Sequence, residues 1–300
     1  MSDSSDFNAA AAAVEAPAFD SGGTASKSSP VARLRRRRKR GGRLVSVVDA
    51  TLLGLTGFVA MFVIWTLIAA ITPDLPTPGE SIVALKTLLA SPFRNGGPND
   101  MGIGIHLMTS LQRVFIGFGL AVLVAVPLGF AMGASRQAWS AFNPVVQLLR
   151  PVSPLAWFPL GLVVLKAAPA AAIFVIFITS LWPTVMNTAF GVASVPESHK
   201  NVARVFRFSR YKYTRHVLLP YSLPSMVTGM RISMGIAWMV IVAAEMLSGG
   251  TGIGFFVWDS YNGSNLPNVA AAIFLIGFVG LALDVGFNKL QARVAFKEVA

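Results

Sequence analysis

Cysteine is absent from the 300 residues, which excludes disulfides, thiolate metal sites and cysteine nucleophiles. Charge is scarce as well: only 13% of residues are Asp, Glu, Lys or Arg, while 54% are hydrophobic. The mean hydropathy is +0.63. Soluble domains carry about 25% charged residues, so this chain has too few to cover a water-facing surface. Histidine occurs only as His106, His199 and His216, without H-E-x-x-H spacing and without a carboxylate partner for nucleophilic work. No G-x-x-x-x-G-K-[ST] phosphate loop is present, so the chain does not bind ATP by that route. The glycine-rich "GGTGIG" at 249–254 lacks the lysine and reads as a turn. No enzyme site, resident cofactor or metal site is visible.

Long apolar runs are what the sequence has instead. Six candidate spans fall at about 51–71, 114–134, 145–165, 170–192, 225–247 and 268–287. Each is near the ~20 residues needed to cross ~30 Å of hydrocarbon as a helix. The expected fold class is therefore all-α, a polytopic membrane protein with six transmembrane helices. Residues 1–43 read as a disordered, polybasic tail and 44–300 as the membrane domain. The tail is rich in Ala, Ser, Gly and Asp without apolar period. It is not a signal peptide, because no apolar h-region precedes its basic run "RLRRRRKRGGR".

Basic residues orient the spans. Nine Lys and Arg precede the first span, Arg136 follows the second, six run from Lys200 to Arg215, and three follow the last. Only Lys86, Arg94 and Lys166 fall on the other side. The positive-inside rule then places both termini and the loop 193–224 in the cytoplasm. On the outer side, Ile82, Val83, Leu85, Leu88 and Leu89 recur at helical spacing, which predicts a short surface helix within 75–93.

The largest inner loop concentrates charge and aromatics: "NVARVFRFSRYKYTRHVLLP", residues 201–220. Ser194 and Glu197, with Pro196 between them, form a capping-box pattern that predicts a helix start. Val202, Val205 and Phe206 share one face of that helix, while Lys200, Arg204 and Arg207 point elsewhere. A second short helix is expected from the Ser209 hydroxyl cap to Leu219, with Pro220 limiting its continuation. Nucleic acid is disfavoured as a partner because no base-reading fold is present and arginines flank membrane spans in any case. Lipid headgroups take part of the charge. A defined, capped shape points further, to a protein partner.

Ionisable residues in the spans are costly in lipid and so mark candidate function. Arg113 and Asp284 lie near enough to rims to snorkel. Arg231 and Glu245 share a helix face but stand ~21 Å apart, so each needs a partner on another helix. Those partners could be interhelical clamps or a substrate. Arg150 opens "RPVSPLAWFP", where three prolines predict a broken helix beside a cavity. An anion would accept hydrogen bonds from Arg150, Ser153 or Asn187.

The loop resembles the EAA loop of permease subunits from binding-protein-dependent ABC importers. By the spacing of that pattern, Asn201 takes the Glu place, Val202 and Ala203 the two Ala places, Arg207 the Gly place, and Val217, Leu219 and Pro220 the closing Ile-x-Leu-Pro. "HLMTSLQRVFIGFGLAVLVAVPLGFAMG" and "GMRISMGIAWMVIVAAEMLSGGTGIG" are similar to the nitrate, sulfonate, taurine and bicarbonate branch. "AAIFVIFITSLWPTVMNTAFGV" and "GIGFFVWDSYN" look most like the nitrate-type permeases. The resemblance implies a type I, MetI-like permease in the bacterial inner membrane that pairs with a second copy. It implies two cytoplasmic ATPases that carry the ATP and dock on Glu197, Asn201, Val202, Ala203, Arg204, Phe206, Arg207, Val217, Leu219 and Pro220. An external solute-binding protein would deliver the anion. Arg150, Ser153, Asn187, Arg231 and Glu245 are the expected translocation-path candidates. Nitrite, sulfonate or taurine, bicarbonate and cyanate are alternative cargoes to nitrate, and a proton-driven secondary transporter is the rival from another class.

Overall fold

The computed structural model describes residues 30–97 and 100–294. The chain divides into two units, 1–61 and 62–300. The first contributes the opening turns of α1 (Pro30–Ile71), and the second holds every other element. Of the tail expected to be disordered, residues 1–29 lie outside the described residues, whereas 30–43 are helical as part of α1. Among the described residues there is no strand, only an isolated antiparallel bridge between Asn95 and Met101.

The helices that follow are α2 (Pro78–Ala90), α3 (Ile103–Ala134), α4 (Arg136–Leu149), α5 (Trp157–Leu165), α6 (Ala168–Ala193), α7 (Glu197–Val205), α8 (Arg210–Tyr213), α9 (Leu219–Ser248), α10 (Ile253–Asn262) and α11 (Leu266–Val294). Five are long and apolar enough to span a membrane by themselves. A sixth span is made if α4 and α5, bent by 91° at the break between them, count as one. The span expected at 145–165, with a break or kink at its prolines, is thus an elbow. Pro151 and Pro154 have no N–H to continue the ladder, and one 3-10 turn, Pro154–Ala156, leads into α5.

α3, α6 and α9 form the core of the second unit. Gly117, Ala121, Ala125, Gly129 and Gly133 recur at every fourth position of α3, which presents a stripe of small residues to α6. Small stripes let membrane helices approach closely, where dispersion replaces the missing hydrophobic drive. At Gly129 the approach leaves no room for a side chain: a Cβ there would stand 2.6 Å from both the Thr188 Cβ and the Val185 carbonyl. Ile176, Met234, Ala237, Ile241 and Ile253 fill the centre, all but withdrawn from solvent.

The surface helix expected within 75–93 is α2. Its start is a capping box that the sequence reading passed over: Thr77 N–H donates to Glu80 Oε2 at 2.8 Å and Glu80 N–H to Thr77 Oγ1 at 3.3 Å. Leu88 faces the core, while Ile82, Val83 and Leu89 remain exposed.

Candidate functional site

The loop between α6 and α9 departs from expectation at both ends. Ser194 does not cap α7. It still belongs to α6 as its C-cap, with αR dihedrals, and its hydroxyl donates to the Gly191 carbonyl at 3.0 Å. Pro196 takes the N-cap place, and Glu197 pairs with Lys200 at 2.9 Å instead of reaching back. The hydrogen bond from Lys200, and then its charge, hold the Glu197 carboxyl below its ordinary value. The pair therefore persists through neutral pH and is lost only on acidification.

α7 ends in a left-handed cap. Phe208 N–H donates to the Ala203 carbonyl at 2.9 Å and Arg207 N–H to the Arg204 carbonyl at 3.0 Å, the paired bonds of a Schellman motif. That motif demands a positive φ at Arg207, and the observed value is 47°. Glycine is the residue that adopts this conformation freely. Arg207, which the resemblance sets at the glycine place of the loop pattern, thus adopts the conformation that glycine favours.

Pro220 does not end the next helix. Ser209 caps α8 through the Lys212 N–H at 3.3 Å, as the sequence suggests. α8 then widens into one π turn, Thr214–Leu218, closed by the Leu219 N–H on the Thr214 carbonyl, and passes directly into α9. The wider turn accommodates Pro220, which sits in the first turn of α9 where a missing N–H is tolerated. The result is one helical rod from Arg210 to Ser248, 39 residues long.

The faces of α7 separate the candidate docking residues. Val202, Val205 and Phe206 point outward, with Val205 78% exposed and Phe206 70%. Ala203 is buried on the side of α7 that faces α8. Arg204 donates to the Asn201 side-chain oxygen at 3.2 Å, and both remain exposed. Val217 packs beneath the loop with Leu218, Val192 and Val195. Pro220 is half-buried, and Leu219 is at the edge of exposure. The closing residues of the pattern therefore pack against the end of α6 and contribute little to the outward face of α7.

The charges within the spans find partners. Glu245, fully buried, accepts from Ser110 Oγ at 2.7 Å, Arg113 Nη1 at 2.8 Å and the Gly254 N–H at 3.1 Å. Arg113 also donates to the Thr251 carbonyl at 2.6 Å, so it is a clamp and does not snorkel. Ser110 Oγ accepts from the Ile253 N–H at 2.8 Å, and His106 Nδ1 lies 3.1 Å from the Gly252 N. His106, Ser110 and Arg113 form a polar stripe on one face of α3 at i, i+4 and i+7; that spacing was the available signal for the clamp. Together they bind α3 to the glycine-rich turn after α9. Arg231 and Asp284 pair in two bonds of 2.7 and 3.0 Å, joining α9 to α11, and Asn288 adds a third donor at 3.0 Å. Asp284, expected at a rim, is thus an interhelical anchor.

Arg150 and Ser153 stand exposed at the α4–α5 elbow. Asn187 is half-buried on α6 and donates its amide to the Pro183 carbonyl at 2.8 Å. Its Cβ lies where a side chain on Gly229 would collide, so it belongs to the α6–α9 contact. Among the described residues no group of acidic residues and histidines is arranged to hold a metal.

A family model described as the binding-protein-dependent transport system inner membrane component matches residues 117–296. The nitrate import permease protein NrtB of Synechocystis sp. is 40% identical over 268 residues, covering 89% of this chain and 98% of its own length. The bicarbonate transport system permease protein CmpB of Synechococcus elongatus is 41% identical over 241 residues, covering 79% and 87%. Among solved structures, the inward-facing MetNI methionine ABC transporter superposes with a TM-score of 0.59 at 15% identity, across 65% of this chain and 96% of that one. At that identity the likeness shows the fold, which is that of ABC importer permeases.

Proposed function

The chain belongs to the inner-membrane components of binding-protein-dependent transport systems, and from that premise we propose that it is the channel-forming half of an ATP-driven importer whose cargo is nitrate. It is a permease subunit and not an enzyme: its relatives are named as permeases, and ATP hydrolysis falls to a separate subunit. The observation that carries the cargo is the match to a nitrate permease across 98% of that protein's length. A bicarbonate permease matches at nearly equal identity. Nitrate and bicarbonate are both planar, singly charged oxyanions, so the two relatives agree on the donors a path would need.

In this reading two copies pair around the path, with both termini and α7 in the cytoplasm, as the distribution of Lys and Arg favours. The elbow faces that path. Leu148, Leu160, Val163 and Val164 around it are exposed and apolar, and Arg150, with no side-chain partner among the described residues, would be costly against lipid. Against water or a second copy, Arg150 and Ser153 become donors for a passing anion. Arg231, Glu245 and Asn187 brace the helices that hold the elbow. The loop around Glu197–Pro220 docks the ATPase, led by Val202, Val205 and Phe206, which offer an apolar knob for a groove. An external solute-binding protein supplies the cargo. A proton-driven carrier is disfavoured because Glu245 and Asp284, the carboxylates a relay would use, are already held.

Uptake of labelled nitrate into cells expressing this chain with its ATPase and receptor tests the reading, with bicarbonate, cyanate and an alkylsulfonate as competitors. Chain-dependent, ATP-dependent nitrate uptake that resists those competitors is the expected result. Uptake of bicarbonate or a sulfonate alone would reject nitrate while leaving the importer in place. Uptake abolished by collapse of the proton gradient at constant ATP would reject the ATP-driven reading.

A further inference from the structure

α7 has two faces, and the apolar knob occupies only one. Opposite Val202, Val205 and Phe206, a cleft of about 390 Å³ opens between α7 and α8. Lys200, Arg204, Arg207 and Arg210 line it, with Phe208 and Tyr213 as its apolar floor. From 193 to 224 the sole carboxylate is Glu197, already paired with Lys200. Arg204 bonds only a neutral amide, and Arg207 and Arg210 have no side-chain hydrogen bond among the described residues. Three guanidinium groups are thus gathered around a concavity without a counter-charge. The left-handed cap helps to gather them, since it turns the chain back so that Arg207 and Arg210 face the same side of α7 as Arg204.

Positive-inside placement accounts for the charge of the loop, but not for its gathering around one concavity. The rod from Arg210 to Ser248 is 39 residues long, about 58 Å at 1.5 Å per residue. Hydrocarbon and both headgroup layers together take about 43 Å, so the rod is longer than one crossing needs. The concavity on the face away from the apolar knob favours a small counter-ion.

We propose that the α7–α8 cleft is a binding site for a small oxyanion, phosphate or nitrate, held by Arg204, Arg207 and Arg210 on the cytoplasmic side. Guanidinium forks match the paired oxygens of such ions. A bound oxyanion ties α7 to α8, and α8 is continuous with α9. Occupancy therefore fixes the angle at which the apolar knob meets the ATPase and makes docking responsive to the anion content of the cytoplasm. The proposal rests on the docking reading for the side of the membrane that α7 faces.

The test is calorimetric titration of the full chain in nanodiscs of zwitterionic lipid, with inorganic phosphate and nitrate in turn and ionic strength held constant with chloride. Saturable binding of either is expected. Phosphate alone would mark a phosphate-bearing effector, and nitrate alone would mark feedback by the cargo. Arg204→Gln and Arg210→Gln should each weaken binding about tenfold. Arg215→Gln, which removes the same charge from the same loop outside the cleft, should leave it unchanged. Circular dichroism and gel filtration establish that the variants fold. No saturable binding of either anion would overturn the proposal; so would wild-type affinity in both cleft variants, or an equal loss in Arg215→Gln. Val205→Glu separates the two readings, because it should abolish ATPase capture and keep anion binding. If it keeps both, docking by the apolar face fails while the anion site stands.

Discussion

At one end of α9, Glu245 is withdrawn from solvent and held by Ser110, Arg113 and the Gly254 N–H. At the other end, Arg204, Arg207 and Arg210 stand exposed beside an apolar knob, without a carboxylate among them. A single buried carboxylate is tolerated within a membrane helix because every donor it needs is already in place. An exposed cluster of like charges next to Val205 and Phe206 is not stable in the same sense; it is complete only when something else arrives. The first end reads as a fixed joint and the second as an interface, with a continuous helix between them to carry motion.

The comparison breaks most severely at the joint. Arg113→Ala leaves Glu245 buried with part of its donor set gone, and removal of one partner of a buried pair costs about 3–5 kcal/mol. The variant should show a large loss of folded protein in the membrane, read by thermal melting in detergent and by yield. Glu245→Gln, which keeps the shape and accepts from Ser110, should lose much less. Equal stability of Arg113→Ala and wild type would mean that the clamp carries no load.

A smaller effect sharpens the other end. Arg207 is held at φ 47°, a conformation costing a non-glycine residue roughly 1 kcal/mol. Arg207→Gly and Arg207→Ala remove the same charge, but only glycine relieves the backbone. Limited trypsin cleavage at Arg204 and Arg210 should be several-fold slower in the glycine variant than in the alanine variant. Equal rates would show that the left-handed cap does not govern how often the loop opens.

The membrane class, the loop and the broken helix at Pro151 and Pro154 were legible in the sequence because each rests on local signals: hydropathy, a charged aromatic run, missing N–H groups. The Ser209 cap was legible for the same reason. The Glu245 clamp was not, since Ser110 and Arg113 lie 135 and 132 residues away in the chain. Ser194 and Glu197 show the opposite failure. Their spacing fits a capping box, but α6 extends far enough to keep Ser194 as its own C-cap, so tertiary placement overrides the pattern. Pro220 misled for a further reason: a π turn absorbs the proline that a regular helix would not. In the candidate site, the outward face of α7 followed from i, i+3 and i+4 spacing, whereas the cleft behind it depends on the positive φ at Arg207, which an arginine at that position does not announce.

The central claim is that this permease acts only through an ATPase docked on the exposed apolar face of α7. Its most direct test is the nitrate-stimulated ATP hydrolysis of the complete importer in proteoliposomes, measured with wild type and with the double variant Val205→Glu, Phe206→Glu. The account predicts that the variant still inserts and folds, fails to retain the ATPase through purification, and loses stimulated hydrolysis by at least tenfold. Retention of the ATPase with stimulation unchanged would contradict it.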